Sequence, residues 1–140
     1  MNSKKKKVLF LCSHNSARSQ MAEGLLKTMY GNRFEVHSAG LQPTEVSPYA
    51  IEVLKEIGID ISNNISKRID IYKDINFDYV ATVCDQARES CPFFPGKIII
   101  HKDFKDPSNT KGDVVDILHE FRRIRDEIKT WIEQNFKDDV

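Results

Sequence analysis

The chain has 140 residues, 40% hydrophobic and 30% charged, which suits one domain with a buried core. Lys+Arg and Asp+Glu both number 21, so no net charge draws nucleic acid or an acidic membrane from a distance, and any anion must be caught by a local site. The longest apolar run, Val8-Leu9-Phe10-Leu11-Cys12, is far too short to cross a bilayer.

No repeat or Gly/Ser-rich linker interrupts the sequence, so residues 1–140 are expected to form a single domain. Residues 1 to about 6, which include most of the Lys4–Lys7 charge run, are expected to be a flexible, solvated tail. A polar Ser-His-Asn turn without a small-residue cleavage site follows the apolar run, so an export signal is not expected and a cytoplasmic location is. Three cysteines in such a chain point to metal or thiol chemistry rather than a disulfide framework. With no C-x-x-C or His-x-x-x-His spacing to suit zinc, thiol chemistry remains.

In chain order, Lys7–Cys12 reads as a buried strand. From Ala17 the pattern turns helical, with Met21, Leu25, Leu26 and Met29 on one face and Gly31 as the stop. Phe34–Ser38 is a short alternating strand. Ser47-Pro48 is an N-cap followed by proline at the first helical position, and the helix it opens runs through Ile51, Val53, Leu54 and Ile57 to Gly58. Residues 60–73 read as loop with a short helix. Asp78–Cys84 and Lys97–His101 read as further buried strands. The last helix, from Asp113 to about Phe136, carries Val114, Ile117, Leu118, Phe121, Ile124, Ile128, Trp131 and Ile132 at spacings of three and four. This order predicts an α/β fold with a parallel sheet and helices on both faces. Ligands of such folds bind beyond the carboxyl ends of the strands.

Cys12 and Cys84 end two of those strands, and the strand ending at His101 runs on to Asp106. A single strand cysteine is usually an inert small hydrophobe; two at one sheet edge suggest chemistry. In Cys12-Ser13-His14-Asn15-Ser16-Ala17-Arg18-Ser19, a loop between strand and helix turns successive N–H groups inward and adds the positive helix end. Such a nest holds a tetrahedral oxyanion and stabilises a thiolate. Arg18 can grip two anion oxygens with its planar fork. Ser19 or Ser16 can donate a hydroxyl hydrogen bond to the sulfur, and Asn15 tolerates the left-handed conformation that such a loop often needs. The competing structural reading is a plain strand-to-helix turn with a buried cysteine and a surface arginine.

The run from Val8 to Cys12 and on through Arg18-Ser19-Gln20-Met21-Ala22-Glu23-Gly24 resembles the phosphate-binding loop of low-molecular-weight protein tyrosine phosphatases and their arsenate-reductase relatives. Val36-His37-Ser38-Ala39-Gly40, Gly58-Ile59-Asp60-Ile61-Ser62-Asn63, the Cys84 to Pro95 segment, Asp106-Pro107 and Phe121 to Ile128 are similar to the thioredoxin-coupled arsenate reductases in particular. The resemblance covers nearly the whole chain and implies a four-stranded parallel sheet flanked by helices. Two departures stand out in the loop. His14 occupies a usual glycine position, either as a solvent-facing bystander or as an extra donor near the anion, and Ala17 replaces a frequent second cysteine.

Phosphatase and reductase share the attack of a thiolate on a tetrahedral oxyanion, and they part at the next step. A phosphatase needs water; a reductase needs a second thiol to attack Cys12 and expel arsenite. The resemblance assigns that thiol to Cys84, the next to Cys91 and the final reduction to thioredoxin, by ordinary thiol–disulfide exchange. Seven helical residues rise ~10 Å, whereas bonded cysteines hold their Cα atoms about 4.4–6.8 Å apart. A helix over 86–91 would therefore unwind on oxidation, and a redox-switched segment is expected from Cys84 to about Pro95. Asp106 is the candidate general acid, with Asp103 as competitor and an acidic turn as the plain alternative.

The expectation is thus an arsenate reductase with Cys12, Arg18, Cys84, Cys91 and Asp106 as catalytic residues, and Ser13, His14, Asn15, Ser16, Ala17, Arg18 and Ser19 around the anion. Phosphate would compete with arsenate, no cofactor would be bound, and the protein would act as a monomer without nucleic acid or membrane. The second reading is a low-molecular-weight phosphatase acting through a Cys12 phospho-enzyme. Ser108 stands against it, because the phosphatases usually place tyrosine after Asp-Pro. The third is a noncatalytic oxyanion-binding or thioredoxin-binding module. Some relatives bind potassium beside the loop. Asn15, Glu23 and Ser38 match those positions, but Lys67 takes the remaining acidic one and could supply the charge itself.

Overall fold

A computed structural model describes residues 4–137. Residues 1–3 of the expected tail lie outside the described residues. Lys6, at its other end, is already the first residue of strand β1 (Lys6–Cys12) and pairs with Phe34. The chain continues through α1 (Arg18–Tyr30), β2 (Phe34–Gly40), α2 (Pro48–Lys55), a 3-10 helix at Ile69–Tyr72, β3 (Tyr79–Thr82), β4 (Ile98–His101), a 3-10 turn at Pro107–Asn109 and α3 (Val114–Phe136).

All four strands run parallel in the order β2-β1-β3-β4. β1 is central, and Val8, Leu9, Phe10 and Leu11 are fully buried on it, as an apolar run between two neighbours requires. The three α-helices pack against one another over a single face of the sheet. There Val8, Phe10 and Cys12 meet Met21, Leu25, Val53, Leu54, Phe121, Ile124 and Trp131. The opposite face, carrying Leu9, Leu11, Ala39 and Val80, is covered by Tyr72 of the first 3-10 helix together with Phe77 and Phe94. The expectation of helices on both faces therefore holds only through that short 3-10 helix. Its polar surroundings supply isolated apolar residues rather than a helical stripe.

Local chemistry explains the element ends. The Ser47 hydroxyl accepts from Ala50 N–H, and Pro48 opens α2. α2 closes as Ile59 N–H reaches Leu54 C=O and Gly58 N–H reaches Lys55 C=O, with Gly58 at φ +83, where a side chain would be strained. At the start of α3, Asp113 and Asp116 form a reciprocal capping box.

Two expectations about burial are corrected. β4 is an exposed edge, with Ile98 and Ile99 open, because an apolar run alone cannot distinguish a central strand from an edge. The first turn of α3 is also exposed at Val114 and Val115, so the apolar stripe buries only from its second turn onward.

Candidate active site

β1 and β3 are neighbours, tied in register to their ends by Leu11 opposite Thr82, and Val83 N–H continues the ladder to Leu11 C=O at 2.9 Å. Cys12 and Cys84 therefore leave the sheet at one rim, and both are buried. Cys84 is disulfide-bonded to half-buried Cys91 with Cα atoms 6.1 Å apart, while Cys12 is a free thiol. Between the bonded pair the backbone forms turns and bends, with no helix at 86–91.

The loop after Cys12 takes the left-handed conformation at Asn15, the residue expected to tolerate it. Asn15 alone among the described non-glycine residues has positive φ, at 51°. It is fully buried, and its side chain organises the loop. Its Oδ1 accepts from Lys67 N–H at 2.8 Å and from Gln20 at 3.0 Å; its Nδ2 donates to Ser19 Oγ at 2.8 Å and to Ser38 Oγ at 2.9 Å. Because Ser19 Oγ already accepts from Asn15, its own hydrogen is free for Cys12 Sγ, 2.9 Å away. Of the two serines weighed from sequence, Ser19 is the one on the sulfur. Gly40 lets β2 end against this loop, since a Cβ there would stand 2.7 Å from Asn15 N and 2.8 Å from Ser13 O. No side chain caps α1 at Ala17, so its first N–H groups lack the side-chain acceptor that a capping residue would supply.

Arg18 is buried and held on several sides. Its NH1 donates to Phe104 C=O at 3.1 Å, its NH2 lies 3.5 Å from Asp106 Oδ2, and its Nε is the one buried side-chain N or O among the described residues without a partner. Burial alone would lower its pKa. The Glu89 hydrogen bonds and the charges of Cys12, Asp106 and Glu89 outweigh that and hold the guanidinium above its ordinary value. A cavity of about 230 Å³ opens here, lined among others by Cys12, Ala17, Arg18, Thr44, Asp106 and Ser108. His14 and Ser16 also line it, and the exposed His14 reaches two adjoining cavities as well.

Asp106 and Asp103 are separated by the fold. Asp106 lines the Cys12 cavity and is steadied by Ser108 N–H at 2.9 Å. Asp103 instead turns to the His101 ring and to Gln86 N–H, 3.1 Å away, outside that cavity. The unforeseen residue is Glu89. It pairs with both terminal nitrogens of Arg18 and accepts from the Ser13 hydroxyl and from Asp85 N–H. Burial pushes its carboxyl up, but the bonds from Arg18, Ser13 and Asp85 prevail and hold it at about 2. In sequence, only its position between the two bonded cysteines sets it apart.

At the residues matched to potassium, the Ser38 hydroxyl donates to Glu23 and accepts from Asn15, and Asn15 Oδ1 accepts from two donors. The Lys67 ammonium stands 3.9 Å from Glu23. Burial lowers the Lys67 pKa, the Glu23 charge opposes that fall, and Lys27 adds to it. No cluster of three or more His, Cys, Asp or Glu suits a metal among the described residues, and no helix there is long and apolar enough to cross a membrane.

Known proteins resemble this chain in sequence and in fold. The profile of the family described as low molecular weight phosphotyrosine protein phosphatase matches residues 7–138. Arsenate reductase 2 of Staphylococcus epidermidis is 44% identical over 130 residues, covering 92% of this chain and 95% of that protein. A solved arsenate reductase in the phosphate binding state superposes with a TM-score of 0.79 at 34% identity, covering 92% of this chain and 95% of that one. A thioredoxin-dependent arsenate reductase of Corynebacterium glutamicum gives a TM-score of 0.64 at 31% identity, covering 96% of this chain and 65% of that one.

Proposed function

Because the chain belongs to the low-molecular-weight phosphotyrosine protein phosphatase family, and its nearest chemistry is a thiol beside an oxidised thiol pair, we propose that it is an arsenate reductase working through a Cys12-Cys84-Cys91 relay. The observation that carries this is the Cys84–Cys91 disulfide standing at the same sheet rim as free Cys12. That arrangement is the end state of such a relay, and a hydrolytic phosphatase has no use for it.

In the proposed cycle, arsenate enters the cavity between Arg18 and the loop amides. The Cys12 thiolate, steadied by Ser19, attacks arsenic, and Asp106 protonates the departing oxygen, so that an S–As bond forms and water leaves. Cys84 then attacks Cys12 Sγ. The electron pair of the S–As bond passes to arsenic, which falls from As(V) to As(III) and departs as arsenite, leaving a Cys12–Cys84 disulfide. Cys91 attacks Cys84 and returns Cys12 to a thiol. An external dithiol finally reduces Cys84–Cys91 and becomes a disulfide itself. Thioredoxin is the proposed dithiol, a reading supported by the similarity to a thioredoxin-dependent reductase. A cycle that returns to thiols suits a reducing compartment, and we place the protein in the cytoplasm as a monomer. Phosphate, close to arsenate in shape and charge, competes. No cofactor enters, and Lys67 stands in for a cation beside the loop.

The test is arsenate reduction with a thioredoxin system. Cys84→Ser and Cys91→Ser are expected to lose multiple turnover while Cys12 still reacts once with oxyanion. Full turnover in both variants, with vigorous aryl-phosphate hydrolysis, would support the phosphatase instead. That alternative draws on the shared loop and Asp106 and is weakened by Ser108 at the cavity.

A further inference from the structure

Glu89 lies inside the ring that the Cys84–Cys91 bond closes, five residues after one cysteine and two before the other. Its carboxylate is fully engaged. Arg18 NH2 donates to Oε1 at 2.9 Å and Arg18 NH1 to Oε2; the Ser13 hydroxyl also donates to Oε1, and Asp85 N–H to Oε2 at 2.9 Å. Two parallel bonds from one guanidinium are also what Arg18 would offer two oxygens of a tetrahedral anion. A carboxylate and a substrate oxyanion thus call on the same cation.

Glu89 does not fill the cavity over Cys12; it lines the two cavities beside it. It therefore competes for the guanidinium from the side and places a second negative charge near the entering anion. We propose that Glu89 is an internal competitor of the oxyanion: while Cys84 and Cys91 are bonded its carboxylate keeps Arg18 engaged, and opening the disulfide releases the arginine for substrate. The motion rests on the relay reading above, whereas the contact itself does not. Opening the bond frees the cysteine Cα atoms from their 6.1 Å separation, and a helical 84–91 segment would set them ~10 Å apart, carrying Glu89 with it. Arg18 Nε has no protein partner in the bonded form, so anion affinity is lowered in that form rather than abolished. Binding linkage is reciprocal, so an oxyanion in turn makes the disulfide easier to reduce.

Calorimetric titration of inorganic phosphate into the disulfide form and into the dithiothreitol-reduced form provides the test. In the reduction, the protein gains two thiols and dithiothreitol becomes its cyclic disulfide. Wild type is expected to bind at least about tenfold more weakly when oxidised, whereas oxidised Glu89→Gln and Glu89→Ala bind within about threefold of the reduced protein. Saturating phosphate should raise the wild-type reduction midpoint by about 30 mV for each tenfold, and the shift should vanish in the variants. Glu89→Asp keeps the charge but shortens its reach, and is expected to bind like the other two. Equal phosphate affinity in the two wild-type forms, or variants that bind no tighter than oxidised wild type, would overturn the proposal. Weaker binding by the variants would make Glu89 a positioning residue for Arg18. Failure of arsenate turnover with thioredoxin would sink the relay alone, because these titrations use chemically prepared forms.

Discussion

Asn15 accepts a left-handed backbone, and its amide then ties the loop, Ser19, Ser38, Gln20 and Lys67 together. A side chain without both a donor and an acceptor could not do this, so the sulfur's hydroxyl partner is set at one remove. At this scale Lys67 bears on ion dependence. With an ammonium beside Glu23, arsenate turnover is expected to differ by less than about twofold between potassium and sodium buffers of equal ionic strength, as initial rates will tell; strong potassium activation would contradict the proposed role of Lys67. Glu89 bears on acid stability. Its carboxyl sits at about 2 against an ordinary 4.5, so its contribution is present above pH 4.5 and is lost as pH falls toward about 2. For this half-exposed group the discounted worth is about 1 kcal/mol. In urea unfolding of the disulfide form, Glu89→Gln should be less stable than wild type by that amount at pH 7, and the gap should close near pH 2.

Among the elements, the segment from Cys84 to Pro95 is the one whose structure depends on a bond. Amide exchange in this stretch is expected to slow at least about tenfold on reduction if a helix forms, while β1 and β3 stay protected in both forms; equal protection throughout would rule out the switch. The helices were legible because their caps and spacings are local: Ser47-Pro48, the Asp113 cap and the stripe from Phe121 to Ile132 each announce themselves within one or two turns. The exposure of β4 was not legible, since an edge is defined by a neighbour that is missing. The anion loop could be read for the same reason as the caps, its residues being consecutive. Glu89 could not. Its partners Arg18 and Ser13 lie 71 and 76 residues away in sequence, and a lone glutamate in a polar turn carries no periodic signal.

Taken whole, the molecule balances 21 basic against 21 acidic residues and gathers its reactive groups at one sheet rim. With no net charge, attraction reaches the anion only over the last few ångströms, inside the screening length of ordinary buffer. Stopped-flow or steady-state kcat/KM for arsenate is accordingly expected to change by less than about threefold between roughly 0.02 and 0.15 M sodium chloride; a steep fall would reveal long-range steering that the composition does not supply.

The adjacency of β1 and β3 has a consequence for how such a catalyst can be retuned. Two of the three sulfurs ride on fixed rails, and only Cys91 hangs on a tether, the six residues from Asp85 to Ser90. Lengthening or trimming that leash should change how quickly the last exchange happens, and because Glu89 rides on it with its hold on Arg18, pace and anion recognition are tuned together on one short stretch of chain.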